Sequence, residues 1–122
     1  MKTQESTENY LEAILILEQG GRPVRSVDIA VHLGYSRPSV SAAVKKLTAE
    51  GFVEVAGGTI TLTKDGREIA ETMYERHIIL SDWLISLGVD KQTAVDDACR
   101  IEHVISKESF DAIKNHLAQL GR

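Results

Sequence analysis

A chain of 122 residues with 43% hydrophobic and 26% charged side chains has an ordinary soluble composition and suits one compact unit or two small halves. No apolar run approaches the ~20 residues that span a bilayer, and Met1 to Glu8 lacks the hydrophobic core of a signal peptide, so a cytoplasmic protein with no membrane partner is expected. The single cysteine, Cys99, precludes an intrachain disulfide, and the net charge of −4 argues at first against nucleic acid.

In chain order, Tyr10, Leu11, Ile14, Leu15 and Leu17 recur at spacings of three and four and predict a first amphipathic helix over residues 8–18, ended by Gly20-Gly21. Ser26 is expected to cap a short second helix with Val27, Ile29, Ala30 and Leu33 on its apolar side, stopped by Gly34. Ser36 caps a third helix that carries Pro38 in its first turn and buries Val40, Val44 and Leu47. After Gly51, residues 52–55 and 59–63 alternate as two strands joined around Gly57-Gly58. Three helices followed by a hairpin make a winged helix-turn-helix.

A long helix follows over residues 65–87, with Ile69, Met73, Ile79, Leu80, Trp83, Leu84 and Leu87 as its apolar positions, closed by Gly88. Asp90 caps the next helix and Ser106 the last, which carries Phe110, Ile113, Leu117 and Leu120. The expected fold is mainly α, with a winged helix-turn-helix in residues 1–70 and an all-helical dimerisation and metal-binding domain in 71–122. These helices carry more apolar surface than one short chain hides, which points to a homodimer.

Charge distribution qualifies the total. Between Gly20 and Glu50, the bases Arg22, Arg25, Arg37, Lys45 and Lys46 outnumber the acids Asp28 and Glu50, whereas from Glu71 onward nine acids face six bases. In a helix-turn-helix, the second helix of the motif enters the major groove by its N-terminal end, which places Ser36, Arg37, Pro38, Ser39, Ser41 and Lys45 against DNA. Arg37 can grip guanine with two donors, and Pro38 can press on a thymine methyl. Lys46, Arg25 and Lys64 suit phosphate contacts. The bland alternative is a capping Ser36 among solubilising bases, and some winged helices bind protein instead of DNA.

Helical spacing puts Cys99, Glu102 and His103 on one face, projecting a thiolate, a carboxylate and an imidazole toward one point. Such donors suit Fe(II), Mn(II), Co(II) or Zn(II), whereas calcium takes oxygen alone. The rival reading is a core cysteine beside a surface Glu-His pair. His77 and Glu12 are further candidates from two other helices. His32 and His116 read as surface residues.

The chain resembles the metal-dependent repressors of the DtxR/MntR type. The resemblance runs through Glu8-Asn9-Tyr10-Leu11-Glu12, Ser36-Arg37-Pro38-Ser39-Val40-Ser41, Leu62-Thr63-Lys64-Asp65-Gly66, Arg76-His77 and, most specifically, Asp97-Ala98-Cys99-Arg100-Ile101-Glu102-His103. It implies a winged helix plus a helical dimerisation domain in the shorter, manganese-regulator architecture, with metal ligands at Asn9, Glu12, His77, Cys99, Glu102 and His103. The set is a hybrid. Manganese-type members carry aspartate where this chain has Asn9 and glutamate where it has Cys99, and Cys99 is the residue of the iron-type branch. Ser81 and Val95 fall where that branch's ancillary site wants a carboxylate and a histidine, and Asp82 lies about 100° off that face.

A thiolate favours softer ions, so the expected metal is Fe(II) ahead of Mn(II), with Co(II) or Zn(II) as in-vitro substitutes. The expected partner is a palindromic double-stranded DNA operator. Two rivals differ in class. One is a winged-helix regulator answering a small organic ligand. The other is a metal-dependent enzyme, disfavoured because nothing forms a substrate pocket or positions a general base.

Overall fold

The computed structural model describes residues 2–120, with side chains from Glu5 onward. Six helices and one hairpin follow in the order α1 (Lys2–Glu18), α2 (Ser26–Leu33), α3 (Arg37–Ala49), β1 (Val53–Ala56), β2 (Thr59–Leu62), α4 (Lys64–Ser86), α5 (Lys91–Val104) and α6 (Lys107–Gln119). This is a winged helix-turn-helix followed by an all-helical segment. The chain divides into two compact units, one running to Thr72 and the other starting at Met73, so the division falls inside α4.

In the first unit, α1 packs on α2 and β2, and α3 on α2 and β1. Leu11, Ile14, Ile29, Val40, Val53 and Ile60 are fully buried between them, each contributing about 1.5–3 kcal/mol of apolar burial. β1 and β2 pair antiparallel with Ala56 opposite Thr59. Gly57 and Gly58 make the two-residue turn at φ +58° and +81°, the left-handed pair that a tight hairpin requires.

Four details depart from the expected elements. Helix α1 starts at Lys2, six residues before the predicted start at residue 8. Arg25, not Ser26, precedes α2 as its cap, because Val24 is tied to the sheet: the Ile60 amide donates to the Val24 carbonyl at 2.8 Å, and Arg25 is left extended. Its amide donates to Asp28 Oδ2 at 2.9 Å, so a carboxylate inside the helix supplies the cap. Val27, Leu87 and Leu120, expected on apolar faces, are exposed. Thr63 leaves the second strand to start α4, its Oγ1 donating to the Gly51 carbonyl at 2.7 Å and accepting from the Gly66 amide at 3.2 Å.

The second unit centres on Leu80, Ala98 and Phe110, with Ile79, Trp83, Ile101, Ile105 and Ile113 packed around them. Asp90 accepts from the amides of Gln92 and Thr93, and Ser106 from that of Ser109, as their positions before apolar runs predict. Among the described residues no helix is long and apolar enough to cross a membrane.

Candidate functional site

The reading helix presents its expected side chains to solvent. Ser36, which caps α3, and Arg37, Pro38, Ser39, Ser41, Lys45 and Lys46 on it are all exposed, as are Arg25 before α2 and Lys64 at the start of α4. Two of the serines are engaged with each other. Ser36 Oγ accepts the Ser39 amide at 3.3 Å and donates to Ser39 Oγ at 2.9 Å, which orders the first turn of α3. The Arg25 guanidinium lies over the wing turn: a Cβ built on Gly58 would stand 2.7 Å from its Nη1.

Tyr35 was missed by sequence reasoning. It immediately precedes Ser36, and its ring meets that of Tyr10 in α1 edge-on, with centroids 5.8 Å apart. The amide of Asn9 donates to the Tyr35 hydroxyl at 3.4 Å. Asn9, a candidate ligand, therefore touches the residue before the reading helix. Aromatic pairing of this kind has no local sequence signature, because the partners are 25 residues apart.

A second constellation lies where α4 meets α5. His77 Nδ1 is 2.9 Å from Glu102 Oε1, and His103 Nε2 is 3.6 Å from Glu102 Oε2. The Glu102 side chain is completely buried, and that of His103 is 3% exposed. A carboxylate is held out of water here between two imidazoles, an arrangement that is costly unless a proton or cation shares it. The donors are one oxygen and two nitrogens at a sheltered point, which fits a divalent transition metal better than calcium or magnesium.

The remaining candidates differ in burial. Cys99 is exposed on α5, one turn before Glu102, so it is not the buried core cysteine of the rival reading. Glu102 is likewise no surface residue. Glu12 is buried on α1. At the ancillary positions, Ser81 is buried with no hydrogen-bond partner for its Oγ among the described residues, Val95 is half-buried and Asp82 is exposed. His32 and His116 are exposed, as expected.

Comparison with known proteins bears on both constellations. A family model described as the iron dependent repressor N-terminal DNA binding domain matches residues 2–58, and one described as the iron dependent repressor metal binding and dimerisation domain matches 63–122. The transcriptional regulator MntR of Salmonella typhimurium is 36% identical over 121 residues, covering 97% of this chain and 76% of that protein. The diphtheria toxin repressor of Corynebacterium diphtheriae is 35% identical over 106 residues, covering 85% of this chain and 47% of its own length. A solved manganese-dependent transcriptional repressor in complex with manganese superposes with a TM-score of 0.84 at 29% identity, over 92% of this chain and 52% of that one. The chain thus spans about three quarters of the Salmonella relative and about half of the other two.

Proposed function

Because the chain belongs to the iron-dependent repressor family, whose members are metal-dependent, dimerising DNA-binding repressors and not enzymes, we propose that it represses genes of metal-ion homeostasis by binding a palindromic operator as a homodimer when loaded with Fe(II) or Mn(II). The observation that carries this reading is the buried Glu102 carboxylate between His77 and His103, at 2.9 and 3.6 Å. A stability role alone is a poor account of it, since buried ion pairs often contribute no more than apolar side chains of the same size.

We assign the ligands as His77, Glu102 and His103 with the thiolate of Cys99, and on family resemblance we add Glu12 and Asn9 of α1. When bound, a divalent ion supplies a positive charge and directional bonds to these donors. Glu102 offers its carboxylate from a site closed to water, and the imidazoles of His77 and His103 offer neutral nitrogen lone pairs. Cys99, exposed and in need of deprotonation, makes loading pH-dependent and biases the set toward Fe(II) over Mn(II). Residues 1–70 act as the DNA-binding domain and 71–122 as the dimerisation and metal-binding domain. At the DNA, Arg37 reads guanine, Ser41 and Lys45 flank it, and Arg25, Lys46 and Lys64 hold phosphates.

Metal and operator favour the same conformation of the dimer. Linkage then requires each to tighten the other by an equal factor, typically ~1–3 kcal/mol. The test is an operator titration at fixed salt with and without a chelator, paired with elemental analysis of the purified protein. Tighter operator binding by the metal-loaded protein is expected, and equal affinity in both states overturns the proposal.

A further inference from the structure

Glu102 and His103 lie in the last turn of α5, where the carbonyl groups have no helical amide left to accept from. Arg76 of α4, the neighbour of His77, reaches this turn. Its Nη1 donates to the carbonyl of Glu102 at 3.1 Å and to that of Ile105 at 3.0 Å. Its guanidinium carbon stands 5.6 Å from the centroid of the Phe110 ring in α6. One side chain thus joins three helices. The partial negative charge of the α5 C-terminus and the face of the ring answer its charge. Its Nε is buried with no hydrogen-bond partner among the described residues, so this geometry is kept at a cost.

We propose that Arg76 is the positioning residue of the metal centre. By clamping the main chain of Glu102 itself, it sets the direction in which the Glu102 carboxylate leaves α5 toward His77, and metal affinity depends on that direction. The inference rests on reading His77, Glu102 and His103 as ligands. Lysine is no full substitute: both carbonyls are reached from the single nitrogen Nη1, but an ammonium lacks the flat guanidinium that lies over the Phe110 ring and fixes where that nitrogen stands. Arg76→Lys therefore separates geometry from charge.

The experiment titrates the full chain with Mn(II) by calorimetry in four forms: wild type, Arg76→Lys, Phe110→Leu and His77→Ala. The ligand-field absorption of bound Co(II), and thermal unfolding and DNA binding without metal, accompany each titration. Arg76→Lys is expected to weaken Mn(II) binding about 10- to 100-fold and to alter the Co(II) spectrum, with metal-free DNA binding unchanged. Phe110→Leu, which removes the ring face together with some core volume while leaving Arg76 in place, is expected to act more weakly in the same direction, and it carries the test if Arg76→Lys does not fold. Wild-type affinity and an unchanged spectrum in a folded variant, with only Tm lowered, overturn the proposal while leaving the ligand assignment intact. No Mn(II) binding by the wild type, or wild-type affinity in His77→Ala, overturns the ligand assignment and this inference with it.

Discussion

His77 Nδ1 lies 2.9 Å from Oε1 of the fully buried Glu102, joining α4 to α5. Glu102→Gln keeps the shape and a hydrogen bond to His77 but removes the charge that a cation needs. It should cost about 1 kcal/mol of metal-free stability and weaken metal binding by more than the roughly 10- to 100-fold typical of residues that only support a ligand. Calorimetric titration alongside denaturation of the metal-free protein checks both. Wild-type metal affinity in the glutamine variant would remove Glu102 from the ligand set.

Gly66 is helical, so its need for glycine comes from space and not from backbone angle. A Cβ there would stand 2.0 Å from the Phe52 carbonyl oxygen, a backbone atom with no side chain to swing aside. Gly66→Ala gains ~1 kcal/mol in helix preference yet should lose stability by about 1–3 kcal/mol net, as overpacked sites do. Urea denaturation decides, and a stabilised variant would show that α4 shifts at no cost.

On α3, Arg37 and Lys46 are both exposed, but they are assigned different tasks. Arg37→Ala should cost about 1–3 kcal/mol at the specific operator and relax the preference at one base pair. Lys46→Ala should weaken binding to all sequences alike and flatten the salt dependence by about one ion. Competition binding over a salt series separates the two. Identical profiles for both variants would mean that Arg37 contacts phosphate only.

Burial, and then the neighbouring Tyr35, raise the ionisation of Tyr10 above its ordinary value of 10.0. Stability that depends on neutral Tyr10 is therefore fully present below about pH 10 and is lost as pH rises through the higher folded value. Denaturation at stepped alkaline pH should show this decline in the wild type and a shallower one in Tyr10→Phe. Equal slopes would mean that Tyr10 ionises alike in the folded and unfolded chains.

Much of this molecule is legible in its sequence because helix periodicity, capping and tight turns are local physics. Ser36, Asp90 and Ser106 cap the helices they precede, and Gly57-Gly58 forms the turn that its residues demand. The neighbourhood of Glu102 and His103 follows from their positions on one helix. Local reasoning fails where a distant strand takes over: Arg25 displaces Ser26 as the residue capping α2 because Ile60 holds Val24 in the sheet.

The order of elements, the exposed polar face of α3 and the cysteine, glutamate and histidine grouped on α5 are legible in the chain alone. Which of these side chains meets a partner at a buried point depends on packing between helices. His77 meets Glu102 across 25 residues of chain, while Cys99 on the same helix as Glu102 is exposed. Spacing on a helix fixes only relative angle. Which side of that helix is closed to water depends on what packs against it, and here His77 and Arg76 of α4 meet the turn that bears Glu102.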